Sequence, residues 1–126
     1  MLKKRVIFTL LYDNGSFMLS RNFRLQRVGK LDWLQKNYDF SQIAFSIDEL
    51  VVLDVSRNKR DEKKFYHHVR SLNDSCFVPI AAGGGIRTLK QAQILLQNGA
   101  EKIVVNTLLS ENPEIVREIS IRYGQQ

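Results

Sequence analysis

The stretch Val78-Pro79-Ile80-Ala81-Ala82-Gly83-Gly84-Gly85-Ile86-Arg87 holds an apolar run, three glycines and the approach to a helical pattern. Val78 to Ala82 reads as a short buried strand, and the glycines close it. Downstream, Leu89, Ala92, Leu95 and Leu96 recur at helix spacing until Asn98-Gly99 stops the pattern. A second apolar run, Lys102 to Val105, follows. Asn112-Pro113 then offers an N-cap and a first-turn proline to a last helix that is expected to bury Ile115, Ile119 and Tyr123 and to end at Gly124. Upstream, Glu49 to Val55 is almost continuously apolar, and Asp61 to Leu72 carries Phe65, Val69 and Leu72 on one helical face.

The same alternation extends to the start of the chain. Arg5 to Leu11 reads as a strand, and Asn14-Gly15 is a strong hairpin dipeptide, after which Ser16 to Phe23 returns. A helical segment is expected near Leu31 to Tyr38, with Leu31, Leu34 and Tyr38 in step. Strand and helix therefore alternate four times, which is the pattern of βα units on a parallel sheet. Four such units fit either an open doubly wound sheet or half of an eight-stranded barrel. A whole barrel takes about 250 residues, and this sequence has 126.

Composition fits one globular unit spanning 1–126, with 44% hydrophobic and 25% charged residues. The apolar run Val6 to Leu11 is far too short to span a membrane. The basic start, Met1-Leu2-Lys3-Lys4-Arg5, lacks a small-residue cleavage site and reads against a secretory leader. A single cysteine, Cys76, rules out an internal disulfide and agrees with a cytoplasmic setting. The net charge of +6 would suit anionic ligands, but Lys and Arg are scattered and not interleaved with aromatics as base-stacking proteins require. Nucleic acid is therefore not the expected partner.

Several residues could carry chemistry. Glycine lets backbone N–H groups approach an anion, and a helix N-terminus favours negative charge, so Gly84 and Gly85 are candidate phosphate ligands. Asn106 and Thr107 end the neighbouring strand and add donors to the same rim, where α/β proteins bind ligands. The alternative for the glycines is a tight turn. Asp54 closes the second strand on that rim and could hold a substrate hydroxyl or move a proton; it could equally brace a loop. At the opposite strand ends lie Arg5, Glu49 and Lys102, which would need mutual pairing if they met in an interior and could equally be surface charges. His67 and His68 point apart on a helix and read as surface residues. Cys76 and Trp33 read as packing residues, and no metal site is apparent.

Together these segments, Met1 to Ile7, Ile47 to Asp54, Gly83-Gly84-Gly85-Ile86-Arg87 and Val105-Asn106-Thr107, resemble the HisF family, the cyclase subunit of imidazole glycerol phosphate synthase. The resemblance covers the whole chain and implies the N-terminal half of a (β/α)₈ barrel. It implies a lyase that takes ammonia from a HisH-type glutaminase to cleave and cyclise a phosphorylated substrate, without a cofactor. Gly85, Asn106 and Thr107 fall on one of the family's two phosphate sites, Gly84 beside them, and Asp54 on a substrate-site aspartate. Arg5, Glu49 and Lys102 fall on a charged gate through which ammonia enters.

Two positions depart from that pattern. Leu11 stands where the family has its first catalytic aspartate, and Leu19 where it has a loop lysine. A leucine cannot transfer a proton. The leucine, and Cys76-Phe77-Val78-Pro79, look more like HisF-like paralogues of surface-polysaccharide clusters, which are thought to serve amidination of sugars. The resemblance thus leaves two expectations: an ammonia-using enzyme component, or a non-catalytic phosphate-binding half-barrel that pairs with a second copy or with a complementary half.

Overall fold

Asn14 and Gly15 make the first turn of the molecule, with φ of 43° and 95°. This left-handed pair is what a tight hairpin between right-twisted strands demands. The structure is a computed structural model that describes residues 4–21, 24–29, 47–56, 59–75 and 78–124. The turn joins β1 (Ile7–Asp13) to β2 (Ser16–Arg21), and β3 (Arg24–Gly29) pairs antiparallel with β2. The expected helix near Leu31 to Tyr38, with Trp33, and Cys76 lie outside the described residues.

The remainder alternates strand and helix. β4 (Glu49–Asp54), α1 (Glu62–Ser75), β5 (Ile80–Gly83), α2 (Leu89–Gln97) and β6 (Lys102–Val104) are followed by a short α3 (Thr107–Glu111) and by α4 (Pro113–Tyr123). The sheet order is β3-β2-β1-β4-β5-β6, and β1, β4, β5 and β6 run parallel. The expected parallel βα units are thus present, extended at one edge by an antiparallel pair. The sequence showed β2 as a return strand but gave no sign of β3, because its pairing depends on a partner and not on a periodic pattern of its own.

Burial is one-sided. Leu10, Tyr12, Leu50, Val52, Ile80 and Ala82 lie on the face covered by helices, packed with Phe65, Val69 and Leu72 of α1 and Ala92 and Leu95 of α2. Alternation along parallel partners in register puts Ile7, Thr9, Leu11, Glu49, Val51, Leu53, Lys102 and Val104 on the other face. Ile7 there is 52% exposed, whereas Leu50, one step away on the covered face, is fully buried. Among the described residues, helices cover one face of the parallel sheet and none covers the other, the arrangement of a partial barrel wall.

Local chemistry explains the element ends. The Asp61 carboxylate accepts from the Lys64 N–H at 3.0 Å, capping α1. Thr88 and Gln91 form a reciprocal capping box at the start of α2. Two details differ from expectation. Asn112 precedes α4 but makes no side-chain cap; its N–H instead donates to the Leu108 carbonyl and closes α3. Tyr123 is 40% exposed, because Ile119 supplies the buried contact of α4 while Tyr123 sits in its last turn.

The side packed by α1 is thus the structural core. Leu72→Ala is expected to lower the unfolding free energy in a urea titration by about 2–5 kcal/mol. Ile121→Ala, at an exposed position, should change it by no more than about 0.5 kcal/mol.

Candidate functional site

The C-terminal ends of β4, β5 and β6 converge because glycines let them. A Cβ on Gly83 would strike the Val104 carbonyl of β6, and one on Gly84 would strike the backbone of Asp54 on β4. Gly84 and Gly85 also have φ of 101° and 69°, in the region that favours glycine. A Cβ on Gly85 would meet the Arg60 guanidinium first. The three glycines thus have separate reasons. Gly83 and Gly84 permit strand-to-strand approach, and Gly85 makes room for a cationic side chain.

Beyond these ends lies a cavity of about 550 Å³, whose lining includes Asp54, Arg60, Gly84, Gly85, Arg87, Asn106 and Thr107. Five residues singled out from sequence, Asp54, Gly84, Gly85, Asn106 and Thr107, are therefore brought to one pocket. Among the described residues, the Gly84, Gly85 and Ile86 amides enter no backbone hydrogen bond. The N-terminus of α2 is different. Its capping box takes up three amides, since Arg87 N and Thr88 N donate to Gln91 Oε1 and Gln91 N donates to Thr88 Oγ1. The Gly84-Gly85-Ile86 loop before the helix lines the cavity and brings its own amides there.

Asp54 is buried and internally engaged. Its Oδ1 accepts from Ser56 N at 3.0 Å and Ser56 Oγ at 2.5 Å, and Asn14 N donates to that Ser56 Oγ at 3.1 Å. The carboxylate thereby braces the β4–α1 loop and joins it to the first hairpin. Arg60 Nη1 donates to the Asp54 carbonyl at 3.2 Å and lies 3.9 Å from its carboxylate. Arg87 pairs with Glu111 at the cavity mouth. Both arginines line the cavity, yet sequence reading placed neither in the site: Arg60 passed as one of the scattered basic residues, and Arg87 appeared only as part of the glycine motif.

Leu11 pairs in register with Leu53, Leu53 with Gly83, and Gly83 with Val104. These four positions cross the uncovered face as a row without an ionisable group. Asp13, two residues beyond Leu11 and half-buried, is on the same face by alternation. The described rim is thus rich in donors that bind and poor in groups that move protons at the Leu11 position.

The opposite strand ends carry a different pair. Lys102 Nζ is 3.1 Å from Glu49 Oε1, with the glutamate side chain 11% exposed and the lysine 33%. Arg5 is exposed and precedes β1; its neighbour Val6 donates to Asp48 Oδ2 at 2.7 Å, which puts Arg5 at the same end of the sheet. Arg5 was expected to open the strand, but the ladder starts at Ile7 because the Val6 N–H is diverted to the Asp48 side chain.

One histidine also differs from its expected surface role. His67 is exposed, but His68 is half-buried, its Nδ1 lying 3.1 Å from the Tyr12 hydroxyl and 2.8 Å from the Lys64 carbonyl. Its ring packs beside Tyr12 and Phe17. Burial, and secondarily the Asp54 charge, push the Tyr12 phenol well above the ordinary range for tyrosine. Burial followed by the Glu62 charge pushes Tyr66 up as well. No group of three or more potential metal ligands occurs among the described residues, and none of their helices is long and apolar enough to cross a membrane.

Parallel strands bearing helices on one face, with a glycine-lined pocket at their C-terminal ends, define a protein of the TIM-barrel class. Residues 36–126 match the family model described as histidine biosynthesis protein. The chain belongs to that family, as an N-terminal half of HisF type. It is 52% identical over all 126 residues to a protein of Parasynechococcus marenigrum provisionally named imidazole glycerol phosphate synthase subunit hisF2, covering 47% of that relative. It is 37% identical over 97% of its length to the HisF subunit of Streptomyces griseus, again covering 47% of the relative. A second provisionally named hisF2, from Campylobacter jejuni, is 33% identical over the whole chain, which covers 49% of it. The chain spans about half the length of the curated relatives it matches.

Substitutions at Lys102, Glu49 and Tyr12 probe the polar pairs. Lys102→Met should cost about 1–3 kcal/mol in chemical denaturation by leaving Glu49 unpaired, and adding Glu49→Leu should recover part of that loss. Tyr12 releases its proton less readily folded than unfolded, so its contribution to stability is intact below the unfolded phenol value of 10.0 and is lost as pH rises past it. Alkaline melts of Tyr12→Phe should accordingly show a shallower fall above that pH than the wild type. An unchanged slope would show that Tyr12 does not drive alkaline unfolding.

Proposed function

We propose that this chain binds a phosphorylated small molecule at the C-terminal rim and serves as the N-terminal part of a HisF-type, ammonia-using lyase. The observation that carries this reading is the 550 Å³ rim cavity, which brings the Gly84-Gly85 loop, Asn106, Thr107, Arg60 and Arg87 together in one place. A phosphate ester needs many donors and positive charge, and little else in a site. In this reading Gly84, Gly85, Asn106 and Thr107 hold the phosphate, and Asp54 shapes the adjoining wall while its own loop is locked by Ser56. The Glu49–Lys102 pair, with Arg5 nearby, forms the gate for ammonia from a HisH-type glutaminase in the cytoplasm.

Leu11 narrows the chemistry. With carbon in place of a carboxyl group, this half supplies binding and positioning, and proton transfer must come from elsewhere. That favours a paralogue of the cyclase, serving amidination of a sugar, over the cyclase itself. The hisF2 name of a relative 52% identical agrees with such a second lineage.

A non-catalytic, self-associating half-barrel is the second reading. It is favoured by the uncovered sheet face and by an apolar groove of about 260 Å³ beside β6, lined by Leu96, Ile103, Val105, Val116, Ile119 and Tyr123. Exposed edges and apolar faces call for cover.

Calorimetric titration with ribose 5-phosphate separates the proposal from simple packing. Saturable binding that Thr107→Val weakens on the order of tenfold supports the phosphate site. Stimulation of a HisH-type glutaminase that Lys102→Met abolishes would support the gate. Absence of phosphate-ester binding would overturn the rim reading, and equal stimulation by the variant would overturn the gate.

A further inference from the structure

We infer that Arg60 is an anion-recognising residue of the rim cavity, delivering a planar guanidinium to a phosphate dianion above Gly85. The inference rests on the phosphate reading of that cavity and adds to it a ligand from the β4–α1 loop. Arg60 lines the cavity, and its Nη1 lies so close over Gly85 that a single added carbon there would collide with it. An anion accepting from the Gly85 amide is therefore within reach of the same guanidinium. Geometry thus pairs a backbone donor and a fixed positive charge on one small volume.

The guanidinium is held without being consumed. Among the described residues, one of its five N–H donors is committed to the Asp54 carbonyl, and the Asp54 carboxylate at 3.9 Å is beyond hydrogen-bond range. The Asp54 Oδ1 instead accepts from the two Ser56 donors, and Oδ2 is the oxygen that faces Arg60. Asp54 therefore orients Arg60 electrostatically while leaving most of its donor fork available. The side chain is 32% exposed, so it is only partly desolvated and can still meet a ligand entering from solvent. Asn14, through Ser56, fixes the loop that carries this arrangement. Arg60 is thus a binding residue, and Ser56 and Asp54 are positioning residues acting through it.

A planar fork discriminates. Two parallel N–H groups match two oxygens of a phosphate, a geometry that a lysine ammonium reproduces in charge but not in shape. The preferred ligand is accordingly a phosphate monoester in its dianionic form.

The test titrates the 126-residue chain and its variants with inorganic phosphate, following chemical shifts or heat, alongside melting temperatures. Arg60→Gln is expected to weaken phosphate on the order of ten- to a hundredfold, and Arg60→Lys to recover part of that loss through charge alone. If Arg60→Gln melts early, Arg60→Lys decides: affinity below wild type at an unchanged melting temperature supports the fork. Binding by wild type that neither variant alters overturns the role of Arg60 and leaves the phosphate site standing. Tighter binding by Arg60→Gln would show that Arg60 plugs the cavity, and would also overturn the inference. A wild type that binds no phosphate removes both the site and the inference.

Discussion

The closeness of the β4, β5 and β6 ends governs the rest of the molecule. Backbone approaches at Gly83 and Gly84 leave no space for a side chain, so these two positions set how tightly three strands converge. That convergence fixes the distance from Asp54 to the glycine loop, and with it the width of the cavity. It also sets the register of the parallel ladder, which alternation then converts into one face of buried apolar residues and one of mixed character. A single methyl group at Gly84 would have to move the β4 backbone, and so would disturb the pocket and the core together.

Two networks of different character occupy the two ends of that ladder. At the C-terminal ends, Asn14, Ser56, Asp54 and Arg60 form a chain of contacts that runs from the first hairpin into the cavity. At the N-terminal ends, Glu49 and Lys102 make a short pair across the intervening β5. The first network spends its carboxylate on holding a loop, and so leaves the Arg60 side chain on the cavity wall. The second satisfies its charges mutually. Separation of the two by the length of the strands lets one end bind while the other remains a closed ionic contact.

Much of the fold was legible because the signals were local. The Phe65, Val69 and Leu72 stripe, the Asn14-Gly15 turn and the Asn98-Gly99 stop of α2 each depend on a few neighbouring residues. That Asp54, Gly84, Gly85, Asn106 and Thr107 would lie together was also legible, since each falls at the C-terminal end of one of three adjacent parallel strands. What escaped reading was long-range. β3 exists through pairing with β2; His68 is drawn inward by Tyr12, fifty-six positions away; Arg60 reaches Gly85 only after β4 and β5 lie side by side. The stripe of the last helix was read one turn too far: Tyr123 has the right spacing but sits in the final turn, where it is 40% exposed.

The one-sided burial of the sheet has a colloidal consequence. Ile7 on the bare face and Ile121 on α4 are apolar and open to water, while the whole chain carries a charge of +6. Copies therefore attract through carbon at short range and repel through charge at longer range. Added salt shortens the reach of the repulsion, to about 8 Å at physiological ionic strength, and leaves the apolar attraction intact. Ionic strength, rather than any change of shape, then acts as the control on whether these faces stay apart.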